Sequence, residues 1–194
     1  MAPTQAYYLP ADSASAIDTS HQVSVEHLNA LGWRISSVRG GPDEIKQAGL
    51  KLAKELGFPV TQDGCVVPFN ADLEKNAATM TPEMLAYLKK TAEVQNNDTL
   101  AHGGIIAVTG GSPYADVEGE YNSQSIWIRI HFAPGMLVCA PTGAKYRLAL
   151  DKQNRGTTGI AFFKETISNH GWLVNKDIDN HPTRRAYLNE VLRT

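Results

Sequence analysis

The second half of the chain is divided into short apolar runs by glycine and proline, and its most constraining stretch is residues 135–150. Gly135, Pro141 and Gly143 interrupt this strand-like stretch at the spacing G-x5-P-x-G. Glycine and proline at such places serve turns, which require particular backbone angles rather than side-chain chemistry. From about residue 98 onward, further short runs follow with the same punctuation. Such regular punctuation favours a sandwich or jelly-roll barrel over a sheet built from βαβ units.

The frame around Gly135 resembles the second sequence motif of the cupins, with Tyr146 at the position of that motif's metal-binding histidine. The resemblance extends to one cupin family, the acireductone dioxygenases of methionine salvage. The segments that carry it occur in the right order: Val23–Val38, YADV at 114–117, WIRI at 127–130 and DNHPTRRAYL at 179–188. The resemblance implies an α+β, mainly β fold, in which a cupin jelly-roll barrel with flanking helices forms a single domain of residues 1–194.

Three regions are predicted within that domain. Residues 1–97 hold an N-terminal arm, helices and a strand, residues 98–163 form the barrel core, and residues 164–194 form a C-terminal loop and helix. The core region includes a predicted hairpin over ADVEGEYNSQSIWIRIHF, whose two runs flank a polar loop. An earlier strand-like run, VTQDGCVVPFN, contains Pro68, which predicts an edge strand or a bulge.

Capping and breaking residues predict where the helices begin and end. Ser24 caps a short helix that Gly32 ends, and Pro42 opens a second helix that ends at Gly57. Two further helices are predicted over residues 81–94 and over residues 179–192, with Pro182 in the first turn of the latter. The second helix carries an apolar stripe, which predicts the face that it buries: Ile45, Leu50, Leu52 and Leu56.

The first motif of the resembled family reads H-x-H-x-x-x-E, and a glycine follows after six residues. Gly111 at that glycine places Asp98, Leu100 and Gly104 at three ligand positions, and Tyr146 takes the fourth. Iron or nickel in an oxygenase needs imidazole and carboxylate donors in a fixed array. Leu100 and Gly104 offer no donor, so we expect no metal and no other cofactor.

Strand alternation predicts which other side chains share the emptied site. Residues two apart lie on one face of a strand, which puts His102 and Ile106 beside positions 98 and 100. Asp98, His102 and Tyr146 would then form a metal-free acid/base set, because imidazole titrates near neutral pH and a phenol can donate to an oxyanion. The alternatives stay open: His102 as a hydrogen-bonded wall residue, Tyr146 as a space-filling side chain, and a bulge that turns His102 outward.

The run IWIRIHF has one apolar face and one polar face. Ile126, Ile128, Ile130 and Phe132 share the apolar face, which we expect in the core. The other face is polar enough to line a pocket or to meet solvent, and for Trp127 and Arg129 the alternative is a structural role in strand pairing and packing. The predicted substrate-binding residues are Leu100, Ile106, Trp127, Arg129 and His131.

Composition narrows the class of protein and its partners. The 194 residues are 42% apolar and 20% charged, as is usual for one soluble globular domain. A net charge of −2 without a basic run argues against nucleic acid, and no apolar stretch is long enough to span a membrane. Without a signal peptide, and with Cys65 and Cys139 expected as free thiols, the sequence predicts a cytoplasmic monomer or small homo-oligomer that acts on a small-molecule substrate.

Three functions are compatible with these residues. The first is a metal-independent enzyme that isomerises, cyclises or otherwise moves a proton on a small organic substrate, such as a specialised metabolite. The second is a pseudoenzyme that binds a ligand or partner without catalysis. The third is an acireductone dioxygenase of methionine salvage. Because a fold hosts many functions, the site has to decide between them.

Overall fold

A computed structural model of the chain describes residues 5–9, 21–70, 82, 99–121, 124–149, 157–166 and 178–192. Eight strands lie within these ranges: β1 (Gln5–Tyr8), β2 (Arg34–Ser37), β3 (Val66–Asn70), β4 (Thr99–Gly110), β5 (Tyr114–Tyr121), β6 (Gln124–His131), β7 (Met136–Ala149) and β8 (Thr158–Phe163). The helices are α1 (Val25–Ala30), α2 (Pro42–Glu55) and α3 (Pro182–Tyr187), and a π-helical turn, Leu188–Leu192, continues α3. None of these helices is both long enough and apolar enough to cross a membrane.

The described strands form one antiparallel sheet in the order β1-β6-β5-β7-β4-β8-β3. The long strand β7 organises it, because its first residues also pair with β2 and its last residues pair with β5. Pro141 and Gly143 lie between these two pairings. This antiparallel sheet with few helices confirms the predicted α+β, mainly β fold class.

Two apolar clusters lie on opposite faces of this sheet. The interior cluster lies where strands β1 and β4–β7 meet α1 and α3; its buried members include Leu28, Trp33, Val117, Ile128, Ile130 and Tyr187. The α2 cluster packs α2 against the outside of β4 and β8, through Ile45, Ala53, Ile105, Ala107 and Phe162. Strand β4 serves both clusters because Ile105 and Ala107 alternate with Val108 and Ile106.

Most predicted boundaries agree with the structure. Ser24 caps α1 by accepting the backbone N–H of His27, and Pro42 and Pro182 open α2 and α3. Strand β3 is at the end of the sheet order, as Pro68 indicated. The hairpin over β5 and β6 is present, and Cys65 and Cys139 are free thiols.

One predicted core position was wrong, and one helix is not described. Leu56 was expected on the buried stripe of α2, but it is 38% exposed. It follows the last residue of the helix as its C-cap, where the helical periodicity no longer holds its side chain against the sheet. The helix predicted over residues 81–94 falls outside the described residues, apart from Pro82.

Gly143 is required for two separate reasons. Its φ is +94°, which residues with a Cβ rarely adopt. A Cβ at this position would also contact the carbonyl oxygen of Thr183 and lie 2.8 Å from the Cβ of Tyr187. The same glycine that turns β7 therefore lets α3 approach the strand.

We expect Gly143→Ala to lower the free energy of unfolding by about 2–3 kcal/mol, through backbone strain and overpacking together. Gly57→Ala is the matched control, because Gly57 has φ +74° and nothing within 4 Å of an added Cβ. Only the strain applies there, so the control should lose about 1 kcal/mol. Urea denaturation measures both values. Equal losses in the two variants would contradict the close approach of α3.

Candidate functional site inside the sheet

Tyr146 lies in the second half of β7 and faces the interior cluster. Its backbone is paired with Val117 on one side and with Thr99 on the other. The side chain is partly buried against that cluster, and its ring meets the ring of Trp33 edge to face, with centroids 6.5 Å apart and an interplanar angle of 70°. Edge-to-face contacts of this kind hold both rings in fixed orientations.

Trp33 reaches this position through the turn that ends α1. Gly32 adopts φ +83°, and the backbone N–H of Trp33 then donates to the carbonyl oxygen of Leu28 at 2.9 Å. The turn leads directly into β2 and leaves Trp33 3% exposed. The indole is therefore a fixed part of the interior beside Tyr146.

The hydroxyl of Tyr146 is held in its protonated form. Burial raises the pKa of this phenol far above its ordinary value, because the phenolate would lose its hydration. The part of the chain that the structure describes gives the hydroxyl no hydrogen bond. A protonated phenol without a partner can donate a hydrogen bond to a ligand.

A second donor beside Tyr146 is also unpaired. The indole Nε1–H of Trp33 is buried and has no acceptor among the described residues. An indole nitrogen can only donate, so no alternative tautomer satisfies it. The neighbouring phenol Tyr187 shows the contrast, since its hydroxyl donates to the carbonyl oxygen of Leu31 at 2.9 Å. A buried donor without an acceptor is uncommon in folded proteins.

The described donors do not fit an iron or nickel centre. Gly104 has no side chain, and Tyr146 supplies a phenol in place of an imidazole or a carboxylate. Within the described ranges, no group of three or more His, Cys, Asp or Glu side chains is placed to hold a metal. A first-row oxygenase metal needs such a group. Asp98, the first predicted ligand position, lies outside the described residues.

The pairing register of β4 with β7 shifts between Leu100 and His102. Leu100 is paired with Lys145 and His102 with Thr142. Gly103 follows with φ +72°, the backbone conformation that a glycine allows at a bulge. Strand alternation therefore does not run unbroken from Leu100 to His102. For these two residues only the backbone is described, and their place in the site stays a prediction.

The other candidates divide between the two faces of the sheet. Ile106 packs against the interior cluster, on the same side as Tyr146. Trp127, Arg129 and His131 lie on the face of β6 opposite the buried Ile128. The structure thus brings Ile106 and Tyr146 to one cluster and places the three β6 candidates elsewhere.

Arg129 and Trp127 are engaged in contacts with neighbouring strands. The Nε and Nη2 atoms of Arg129 donate to the two carboxylate oxygens of Asp116 at 2.7 and 2.8 Å. This pairing raises the pKa of the guanidinium further. Arg147 lies over the ring of Trp127 at 3.8 Å. These contacts support the structural role that the sequence left open for both residues.

Two features of the interior were missed from the sequence. Trp33 lies within the segment Val23–Val38, but its isolated position gave no sign that it meets Tyr146. Glu118 and Arg184 form a buried, doubly hydrogen-bonded ion pair that joins β5 to α3. The RR pair in the C-terminal signature was the available signal, and only the fold distinguishes buried Arg184 from exposed Arg185.

Sequence comparison finds relatives over part of the chain. Over 85 residues, 43% of this chain, it is 32% identical to acireductone dioxygenase 1 of Physcomitrium patens. Over 117 residues, 59% of this chain, it is 30% identical to acireductone dioxygenase 2 of the same organism. The chain spans 40% and 56% of the length of these two relatives. No family model matches it.

The fold comparison covers more of the chain. An acireductone dioxygenase from Bacillus anthracis, with a cadmium ion in its active centre, matches 86% of this chain and 95% of its own. The TM-score is 0.55 at 12% sequence identity, which shows the fold alone. The chain therefore has the mainly β fold of that structure. Its sequence relatives and its structural neighbour share the name acireductone dioxygenase.

Proposed function

We propose that this protein is an acireductone dioxygenase-like cupin that binds a small organic molecule in the interior of its barrel and acts on it there without a metal. Tyr146 and Trp33 are the proposed binding residues, and each donates a hydrogen bond to an oxygen atom of the substrate. The observation that carries the proposal is the buried, unpaired indole N–H of Trp33 beside the ring of Tyr146. We also propose that the protein is cytoplasmic and that it binds neither nucleic acid nor a membrane.

The energetics of unpaired donors support a bound oxygen. A buried donor without an acceptor costs about 1–3 kcal/mol of stability. A substrate carbonyl or enolate that accepts the indole N–H of Trp33 would remove that cost. The surrounding wall is apolar, with Ile106, Ala140 and Ala144 in the same cluster. This combination suits a compact molecule with an apolar body and one oxygen-bearing end.

The chemistry that such a site favours is proton transfer. Two fixed donors stabilise negative charge on an oxygen, as in an oxyanion hole, and so lower the barrier to forming an enolate. Isomerisation or cyclisation can proceed through such an intermediate without a metal. Asp98 and His102 remain the proposed proton carriers, on the sequence pattern alone. The protonated Tyr146 would bind the developing charge.

Acireductone dioxygenation itself is the second candidate. The names of the sequence relatives and of the structural neighbour favour it more directly than they favour metal-free chemistry. The side chains favour the metal-free reading, because Gly104 and Tyr146 stand at two of the four ligand positions and supply neither imidazole nor carboxylate. The metal content of the purified protein distinguishes metal-free chemistry from acireductone dioxygenation.

We expect the purified protein to contain iron and nickel far below one atom per chain. A chelator should leave its melting temperature unchanged, and added Fe²⁺ or Ni²⁺ should not raise it, because a metal stabilises only the state that binds it. Elemental analysis and thermal unfolding measure these outcomes. Stoichiometric iron or nickel, lost to a chelator together with several degrees of melting temperature, would establish the dioxygenase candidate instead.

A further inference from the structure

A cavity of about 700 Å³ opens where β1, β6 and β7 meet the residues that follow β2. Its volume is in the range of small-molecule pockets, about 300–1,000 Å³. Its lining combines polar and apolar residues. The polar residues include Gln5, Ser37, Arg39, Ser112 and His131, and the apolar residues include Val38, Phe132 and Met136.

This cavity is separate from the site around Tyr146. Met136 lines the cavity at the beginning of β7, and Tyr146 lies ten residues farther along the strand. Neither Tyr146 nor Trp33 lines the cavity, although Phe132 and Met136 also belong to the interior cluster. The cavity lies at the end of β6 that carries His131, beyond the register pairs with Gln5 and Tyr114.

His131 is held rigidly at the cavity wall. Its imidazole contacts the rings of Tyr7 and Tyr114, with centroid separations of 6.2 and 5.8 Å. Burial and the neighbouring charge of Arg129 lower the pKa of His131, and Asp116 opposes this only in part. The imidazole is therefore neutral at pH 7 and offers one donor and one acceptor. Neither ring nitrogen is used in a hydrogen bond within the described part of the chain.

Arg39 supplies the charge of the cavity. It is exposed, and no carboxylate pairs with it among the residues that the structure describes. Glu44, close by at the start of α2, is engaged as the acceptor of the Gly41 N–H at 2.9 Å. The other arginine near His131, Arg129, donates two hydrogen bonds to Asp116. The cavity thus combines an unpaired guanidinium, a neutral imidazole and an apolar wall.

We propose that this cavity is a second ligand site, which binds a small amphipathic carboxylate. The carboxylate lies between Arg39 and His131, and the apolar body packs against Phe132 and Met136. A guanidinium matches a carboxylate with two parallel hydrogen bonds, and a neutral imidazole adds one N–H donor. The site is independent of the function proposed for the barrel interior.

Two probes of the same shape test the charge at this site. Phenylacetate and phenylacetamide share a ring and a methylene group and differ in charge. In the native protein, we expect saturable binding of phenylacetate, at least tenfold tighter than that of phenylacetamide. In the Arg39→Gln variant, the two affinities should become equal within about twofold. Isothermal titration calorimetry measures both, and shifts of the His131 imidazole signals in NMR spectra locate the bound probe.

Arg34→Gln is the matched control. Arg34 is also exposed and lies on β2, but it lines a different cavity beside Cys139. Its loss changes the net charge equally and should leave the preference for phenylacetate intact. No saturable binding, equal affinities in the native protein, or the same effect in both arginine variants would each overturn the proposal.

A second variant tests the imidazole. His131→Phe keeps a ring between Tyr7 and Tyr114 and removes both nitrogens. We expect it to bind phenylacetate at least threefold more weakly, with the probe still shifting the backbone signals of residues 131–136. Unchanged phenylacetate affinity would remove His131 from the site.

Discussion

Replacing Arg184 by methionine should lower the free energy of unfolding by about 3–5 kcal/mol, because it leaves the charge of Glu118 buried without its partner. Both side chains are below one tenth exposed, and two guanidinium nitrogens donate to the two carboxylate oxygens. Glu118 also accepts the backbone N–H of Lys145 at 3.2 Å, and Arg184 donates to the carbonyl oxygen of Gly143. The pair therefore ties α3 to β5 and β7, and urea denaturation measures its loss.

Arg185→Met is the matched control for this prediction. Arg185 is the next residue, is exposed, and donates to the carbonyl oxygen of Asn180. Its replacement should cost less than about 0.5 kcal/mol. The double variant Glu118→Gln, Arg184→Met should recover part of the loss, since no unpaired charge remains. Similar small losses for Arg184→Met and Arg185→Met would contradict a buried pair.

Tyr146→Phe should weaken the binding of an acireductone about tenfold to a hundredfold, because the lost hydrogen bond to a charged oxygen is worth about 1.5–3 kcal/mol. The free energy of unfolding should change by less than about 0.5 kcal/mol, since the hydroxyl has no partner among the described residues. The measurement is calorimetric titration under argon, which prevents oxidation of the probe.

Tyr187→Phe is the control, and we expect the opposite result for it: lower stability and unchanged binding. Its hydroxyl is bonded to Leu31, so its removal should cost about 1 kcal/mol of stability and leave binding unchanged. Full acireductone binding by Tyr146→Phe would favour a space-filling role for Tyr146. In that case Tyr146→Ala should cost a few kcal/mol through the cavity that it creates. Binding without any turnover would favour the pseudoenzyme.

Local signals in the sequence predicted the boundaries of the elements. Pro42 and Pro182 begin helices because proline suits a first helical turn, and Ser24 caps α1 with its own side chain. The alternation in β6 placed Ile128 and Ile130 in the core. Each of these effects depends on neighbours a few residues away, which is why a single sequence contains them.

The site depends on contacts between distant parts of the chain. The register shift between Leu100 and His102 is set by the pairing of β4 with β7, and the sequence of β4 alone does not fix it. Likewise, Trp33 meets Tyr146 only because β2 pairs with β7 and α1 packs against the interior cluster. The resemblance supplied the position of Tyr146, and only the fold supplied its partner.

The most direct test of the central proposal is the NMR signal of the Trp33 indole N–H during titration with an acireductone under argon. The chain has three tryptophans, and Trp33→Phe identifies the signal of Trp33. We predict that this signal shifts downfield to saturation and that its hydrogen exchange slows, while the signal of Trp127, on the opposite face of the sheet, stays in place. An unchanged Trp33 signal at saturation, or a response of Trp127 alone, would contradict a ligand held by the interior donors.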